Sequence, residues 1–415
     1  MKVKLFILLI LVFIAVKAGA QKFTLSDALE SAASFHPDII AAREEVSALR
    51  AKVWADISPA KPEIFYEVEG IPPGTNRLSG YDERKLGISQ SIEFPLSAFY
   101  RVRESRHVVQ AADYRLVRVK NRIRKDVKNA YYSLILARQK HELHQSIYRL
   151  TQVQLEKTRI RVLSGESTAY DSLRVRVDLA DIQNQLAAGE REIDLALRHL
   201  ILQTGKENSE NIEIDNHWDE TPVNLEADDL VLYALENHPE ILEKKAGIRQ
   251  IAMQSRSAWS SIIPGFHLKY FQKEHVHNSH RGWGAEIGMR IPLWFFLEDQ
   301  GRIRNVSHRA VSADMELKSL QLKIEHEVRK ALASCLDALN RAANYRESAV
   351  KEAEELVRIA RRSYEEGEMS ALEWTEAIRA KNRIQIGLLE ALFELHTARA
   401  DLEYAAGRIL FPAAR

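Results

Sequence analysis

Three histidines, His275, His277 and His280, stand beside Glu274 in a short polar segment. Imidazoles gathered on a loop can hold Zn²⁺, Cu²⁺ or Ni²⁺, and three of them with an open fourth position are a competent ligand set. The competing reading is a polar loop that happens to carry histidines. His36 and His238 each precede a proline and read as helix-ending, packing residues. No nucleophile–base motif, P-loop or dinucleotide fingerprint occurs. Gly282, Gly284 and Gly288 fall inside an alternating strand pattern, so they form no phosphate cradle. The chain is therefore read as a non-enzyme with no cofactor. Its single cysteine, Cys335, excludes an intrachain disulfide, a Cys-based zinc site and an iron–sulfur cluster.

The elements that would carry such residues follow from composition. The 415 residues hold 59 Lys+Arg against 58 Asp+Glu, a net charge of +1 that argues against nucleic acid as a partner. With 17 glycines and 11 prolines, turn residues make up about 7% of the chain against a usual ~12%. So little turn chemistry cannot punctuate an all-β fold, and long helices must dominate.

Lys2 and Lys4 precede an apolar run from Leu5 to Val16, with Ala18, Gly19 and Ala20 before Gln21. This is the layout of a cleaved export signal over residues 1–20, with an uncleaved anchor as the alternative. No cysteine lies near the cleavage site, so no lipid anchor at the mature N-terminus is expected. After it no run of about 18 apolar residues occurs, and any membrane crossing must be made by strands.

The rest reads as one unit written twice. Ser34–Ile39 is echoed by Glu236–Ile241, Trp54 and Pro59 by Trp259 and Pro264, Pro95 by Pro292, Gly165-Glu166 by Gly367-Glu368, and Gly205 by Gly407. The offsets stay near 200 residues and the order is kept. The expected division is a first repeat at 21–205, a linker at 206–224, a second repeat at 225–409 and a tail at 410–415. Each repeat should hold two shorter helices, two strands and two long helices, the long ones near 97–163, 168–204, 298–365 and 370–406. A 65-residue helix is about 100 Å long at ~1.5 Å per residue. Apolar residues such as Leu150, Val153, Ile160 and Leu163 recur at three-to-four spacing, as in packed coiled-coil-like helices.

Leu86, Ile88, Gln90, Ile92 and Phe94 alternate with polar or small residues, as do Trp283, Ala285, Ile287, Met289 and Ile291. With partners near 62–70 and 266–273 they make four strands of membrane-crossing length, aromatic near their ends. A small soluble sheet is the alternative. Four strands cannot close a barrel, and lipid tolerates no open edge. Several chains must then share one barrel, and strand arithmetic leaves two or three chains equally open.

The duplicated opening at Leu25–Pro37 and Leu230–Pro239, the strand ending in proline before a long helix, and the glycine turn between long helices resemble the outer-membrane efflux proteins, the TolC-like exit ducts. The resemblance covers essentially the whole chain after the signal. It implies a mainly α fold with a small β part: tandem-duplicated helical hairpins form a periplasmic α-barrel, and four strands per chain contribute to a shared transmembrane β-barrel. It further implies a homotrimer in outer-membrane lipid, with a long periplasmic portion that docks to a periplasmic adaptor and an inner-membrane transporter. Leu86–Glu93 followed by Arg101, Arg103 and Arg106 is similar to the heavy-metal cation branch. That branch usually has Gly-Lys-Arg after the strand, where this chain has Pro95–Ala98.

Carried over position by position, the resemblance places a pore constriction at Glu373 and Glu376, with Asp171 and Arg174 as first-repeat equivalents. Glu373 and Glu376 are three apart on one helix, so three copies would ring the axis with six carboxylates. A basic residue often found two after the turn glycine, latching the acid equivalent to Asp171, is Met369 here, so that latch is either absent or replaced by Arg174. The turns Ser164, Gly165, Glu166, Ser167 and Glu366, Gly367, Glu368, Met369 are implied adaptor-docking tips. A passive efflux duct for metal cations or small toxic compounds is the first expectation. A duct for one-step protein secretion and a structural periplasmic coiled-coil protein are the alternatives.

Overall fold

Proline sets where several helices begin. In the computed structural model Pro37, Pro95 and Pro239 are each the first helical residue, where the missing N–H has no intrahelical partner to lose and φ is already helical. Residues 23–71, 73, 81–206, 214–218, 225–260, 262–275, 280–291 and 298–412 are described. The expected export signal, most of the 206–224 linker, His277 and the end of the tail lie outside the described residues.

The element order is α1 (Leu25–Phe35), α2 (Pro37–Ile57), β1 (Glu63–Glu69), β2 (Glu83–Ile92), α3 (Pro95–Leu163), α4 (Ala169–Thr204), α5 (Ala227–Asn237), α6 (Pro239–Ser260), β3 (Gly265–His275), β4 (Arg281–Arg290), α7 (Glu298–Asn344), α8 (Val350–Glu366) and α9 (Ala371–Ala406). The pattern α-α-β-β-α-α thus occurs twice. One difference breaks the parallel: α3 runs through 69 residues, whereas a π-helical segment, Tyr345–Ala349, separates α7 from α8. The expected single helix over 298–365 is therefore interrupted. At this level Gly387 of α9 faces the Tyr345 ring, and a Cβ there would lie 2.8 Å from it. The wide turn and the bare glycine together accommodate the tyrosine.

Contacts divide the chain into two compact units, each drawing on both repeats. Among the described residues the helical unit falls within Met1–Ala41, Arg118–His238 and Lys323–Arg415. Its core includes Ile147 of α3, Ile182 of α4, Val357 and Tyr364 of α8, and Trp374 and Ile378 of α9. A stack of Tyr132, His396 and Trp218 pins the linker residue Trp218 against α3 and α9, with Tyr132 and His396 centroids 4.1 Å apart. Lys128 and Glu403 form a buried ion pair, and Glu403 also accepts the backbone N–H groups of Leu410 and Phe411. A buried charge pair is tolerable only when such added bonds satisfy it.

The second unit, Ala42–Val117 and Pro239–Leu322, contains the sheet. Its four strands are all antiparallel in the order β1-β2-β3-β4. Ile64, Ile88, Tyr270 and Ala285 are aligned across it, so one face gathers the apolar alternates and the other the polar ones. The apolar face is bare: Ile64 is 81% exposed and Ile287 77%. Among the described residues β1 and β4 each have one neighbouring strand only. No described helix is long and apolar enough to cross a membrane.

Candidate functional site

The two long hairpins turn in the same way at matching positions. Gly165 and Gly367 adopt left-handed φ of 79° and 86°, a conformation that costs a side-chain-bearing residue about 1–2 kcal/mol. Behind each, the next N–H groups fold back onto one carbonyl: Glu166 and Ser167 donate to Arg161, and Glu368 and Met369 donate to Ser363. The following helix restarts on a capping box. Thr168 caps α4 with Asp171 reaching back, and Ser370 caps α9 with Glu373 reaching back. Such a box satisfies two orphan donors reciprocally.

This geometry gives Asp171 and Glu373 a local task. Asp171 Oδ2 accepts the Thr168 hydroxyl at 2.7 Å, the Thr168 N–H at 3.0 Å and the Ser167 hydroxyl at 2.8 Å. Glu373 Oε2 accepts the Ser370 N–H and hydroxyl, both at 2.8 Å. Hydrogen bonds to the charged form hold both carboxyls below their ordinary range: the Thr168 hydroxyl leads for Asp171, and the Ser370 N–H leads for Glu373.

Glu376 does something different. It receives Arg379 Nη1 at 3.0 Å and lies 3.8 Å from Arg174. Arg379 in turn donates to Asp178 Oδ1 at 2.5 Å. Burial opposes the Arg379 charge, but the Asp178 and Glu376 carboxylates outweigh it and raise its pKa. Arg174 thus meets Glu376, and Met369 packs against the apolar core. Asp178 and Arg379 were not singled out from sequence. The available signal was spacing, since Asp178 lies two turns beyond Asp171 and Arg379 three residues beyond Glu376.

The two turns are also fastened to one another. Arg161, in the last turn of α3, donates to the Tyr364 carbonyl at 2.5 Å, lies 4.8 Å over its ring, and reaches Glu166 at 3.4 Å. Just above, buried Gln154 donates to the Ala371 carbonyl and Thr375 hydroxyl, and the Tyr364 hydroxyl donates to Thr158. Polar groups at buried helix seams fix register, because any slip leaves them unpaired.

On the sheet's polar face, glycines make room for rings of the neighbouring strand. A Cβ on Gly284 would lie 2.6 Å from the Phe271 ring and one on Gly288 1.8 Å from the His267 ring. Glu83 pairs with Lys273 at 2.5 Å and lies 3.6 Å from His275 Nδ1. The His275 N–H donates to the His280 carbonyl, so these two histidines flank the loop of a hairpin. Among the described residues no group of three metal-capable side chains occurs.

The profile of the family described as outer membrane efflux protein matches residues 28–206 and again residues 230–408. The chain belongs to the outer membrane efflux protein family. One relative is the cobalt-zinc-cadmium resistance protein CzcC of Cupriavidus metallidurans, 21% identical over 392 residues that span 94% of this chain and 92% of the relative. The fold is shared with solved outer-membrane proteins and channels. CusC superposes with a TM-score of 0.76 at 17% identity, over 94% of this chain and 95% of its own. VceC of Vibrio cholerae gives 0.75 at 16% identity, over 92% and 96%. In this outer membrane efflux protein the mainly helical architecture and the small amphipathic sheet are those of the TolC-like channels, with a helical barrel part and a β membrane part.

Proposed function

We propose that this protein is the passive outer-membrane exit duct of a tripartite pump that exports metal cations. The observation that carries the reading is the sheet: four strands, one bare apolar face and, among the described residues, a free edge at each end. Free edges in lipid must be paired, and three chains would pool twelve strands into a closed barrel whose polar faces line a water-filled duct. The similarity to a cobalt-zinc-cadmium resistance protein supports cations as cargo.

In this reading the hairpin tips are the periplasmic entrance. The turns Ser164–Ser167 and Glu366–Met369 dock a periplasmic adaptor, which links the duct to an inner-membrane transporter. Glu373, Glu376, Asp171 and Arg174 form the constriction, where the carboxylates favour cations. The Arg174–Glu376–Arg379–Asp178 chain ties the two hairpins of one protomer together and holds the entrance narrow.

Planar-bilayer recording on the detergent-extracted protein tests the duct. Discrete ion-conducting steps from a heat-modifiable oligomer are expected. Protein that stays in solution without detergent and conducts nothing would overturn it. Cobalt, zinc and cadmium tolerance in a strain lacking the gene, with and without complementation, tests the cargo.

A further inference from the structure

Trp54 and Trp259 hold matching places in the two repeats, each five residues before the proline that follows its helix, and both are open to solvent, 77% and 59% exposed. They stand near the ends of α2 and α6, which lead directly into β1 and β3. Beside them Ile57 and Ile263 are exposed, and where β2 passes into α3 so are Leu96 and Phe99. At the same end of the strands the exposed apolar residues are Ile64, Ile92, Phe266 and Met289. The bare apolar surface therefore continues along the chain past the last strand bonds and onto three helix ends.

Those helix ends form one rim. Arg101 of α3 donates to the Asp56 carbonyl, Ser105 to the Asp56 carboxylate, and the Ser97 and Ser260 hydroxyls meet at 2.9 Å. Farther along, Arg115 pairs with both Glu45 of α2 and Glu243 of α6. The nearby acids are occupied: Glu93 by Arg101, Asp113 by Arg50, and Glu104 by Gln254. Arg103 and Arg106 are exposed, and neither pairs with a carboxylate among the described residues. The Arg103 guanidinium lies 4.7 Å over the Phe99 ring, which holds it one turn beyond the aromatic level.

Resting on the duct reading, we infer that this rim seats the headgroups of the phospholipid leaflet on the helical side of the sheet: Trp54, Trp259 and Phe99 lie among the headgroups, and Arg103 and Arg106 bind lipid phosphate. Indoles favour this zone because one end is apolar and the N–H wants a wet partner. Guanidinium matches phosphate geometry in a way an ammonium does not. An apolar belt followed by unpaired cations suits a phosphate-bearing surface better than a second copy of this chain, whose rim would bring the same positive charge.

Fluorescence depth quenching tests the assignment on the full oligomer in vesicles of phosphatidylethanolamine and phosphatidylglycerol. The chain has six tryptophans. Lipids brominated near the headgroup should quench a component of the emission that is lost in the Trp54→Phe, Trp259→Phe double variant, both changes being at exposed positions. The component quenched through Trp283, identified with Trp283→Phe, should remain. If the double variant quenches like wild type while the Trp283 component is present, the rim inference falls and the duct reading stands. That is also the outcome if a second copy covers the rim. If no tryptophan is quenched, both fall. For the phosphate contacts, Arg103→Gln with Arg106→Gln should abolish the blue shift that phosphatidylglycerol produces in the Trp54 and Trp259 emission. An unchanged shift would overturn that part.

Discussion

Asp178 of α4 and Arg379 of α9 are 201 positions apart, one in each repeat, and their side chains meet at 2.5 Å. Arg379 extends the link to Glu376, and Glu376 to Arg174. Two acids and two bases thus alternate across the seam between the hairpins. The arrangement is unequal at its two ends: the Asp178 side chain is largely buried, with Oδ2 unpartnered among the described residues, whereas Arg379 is half exposed.

That inequality sets an order for two variants. Arg379→Gln leaves a buried carboxylate without its cation and is expected to destabilise by about 1–3 kcal/mol. Asp178→Asn leaves a half-exposed guanidinium that still meets Glu376, and should cost less. Both should raise single-channel conductance, and the double variant should add little to the larger single effect, since the residues act as one unit. Thermal unfolding and bilayer recording on the three variants check this. Additive conductance changes would count against a shared link.

Glu373→Gln combined with Glu376→Gln is expected to lower cation preference at the entrance. Reversal potentials across a salt gradient measure it, and unchanged selectivity would remove these carboxylates from the constriction.

Acid should loosen the tips before the rest of the helical unit. Asp171 and Glu373 have pKa values lowered from 3.8 and 4.5 by their capping bonds. A carboxyl depressed in the folded state contributes its stability fully above its ordinary value and loses it as pH falls through the folded value. Hydrogen-exchange protection at Ala169–Ser172 and Ala371–Trp374, compared with mid-helix segments after correction for intrinsic rates, should therefore hold down to about pH 5 and drop below about pH 4. In Thr168→Ala and Ser370→Ala, protection at these sites should already be reduced at neutral pH, each lost cap costing about 1 kcal/mol.

Trp374 is fully buried, and its indole N–H has no partner among the described residues. Trp374→Phe, which removes no hydrogen bond, should cost clearly less than Trp374→Ala, for which the cavity predicts about 3–5 kcal/mol. Equal losses in thermal unfolding would mean that the N–H is satisfied after all.

Glycines in β4 differ sharply in what they permit. A side chain at Gly288 would strike the His267 ring, whereas among the described residues nothing lies within 4 Å of a Cβ at Gly282. Gly288→Val should abolish the heat-modifiable oligomer on gels, and Gly282→Ser should leave it intact.

Much of this protein was legible from residues alone, because the signals are local. Proline and left-handed glycine stop and start helices through their own backbone limits, so Pro37, Pro95, Gly165 and Gly367 marked the boundaries. Period-two alternation reports a strand with two unlike faces wherever it occurs, so both hairpins were visible. What the sequence could not decide was partnership. Glu373 and Glu376 look equivalent three residues apart, yet the first bonds within its own turn and the second crosses to the other repeat. The link between Asp178 and Arg379, the buried contacts of Gln154 and Tyr364, and the pairing of β2 with β3 all join residues about 180 to 220 positions apart. Such contacts depend on how whole helices and hairpins pack, and only the folded chain brings those side chains within reach.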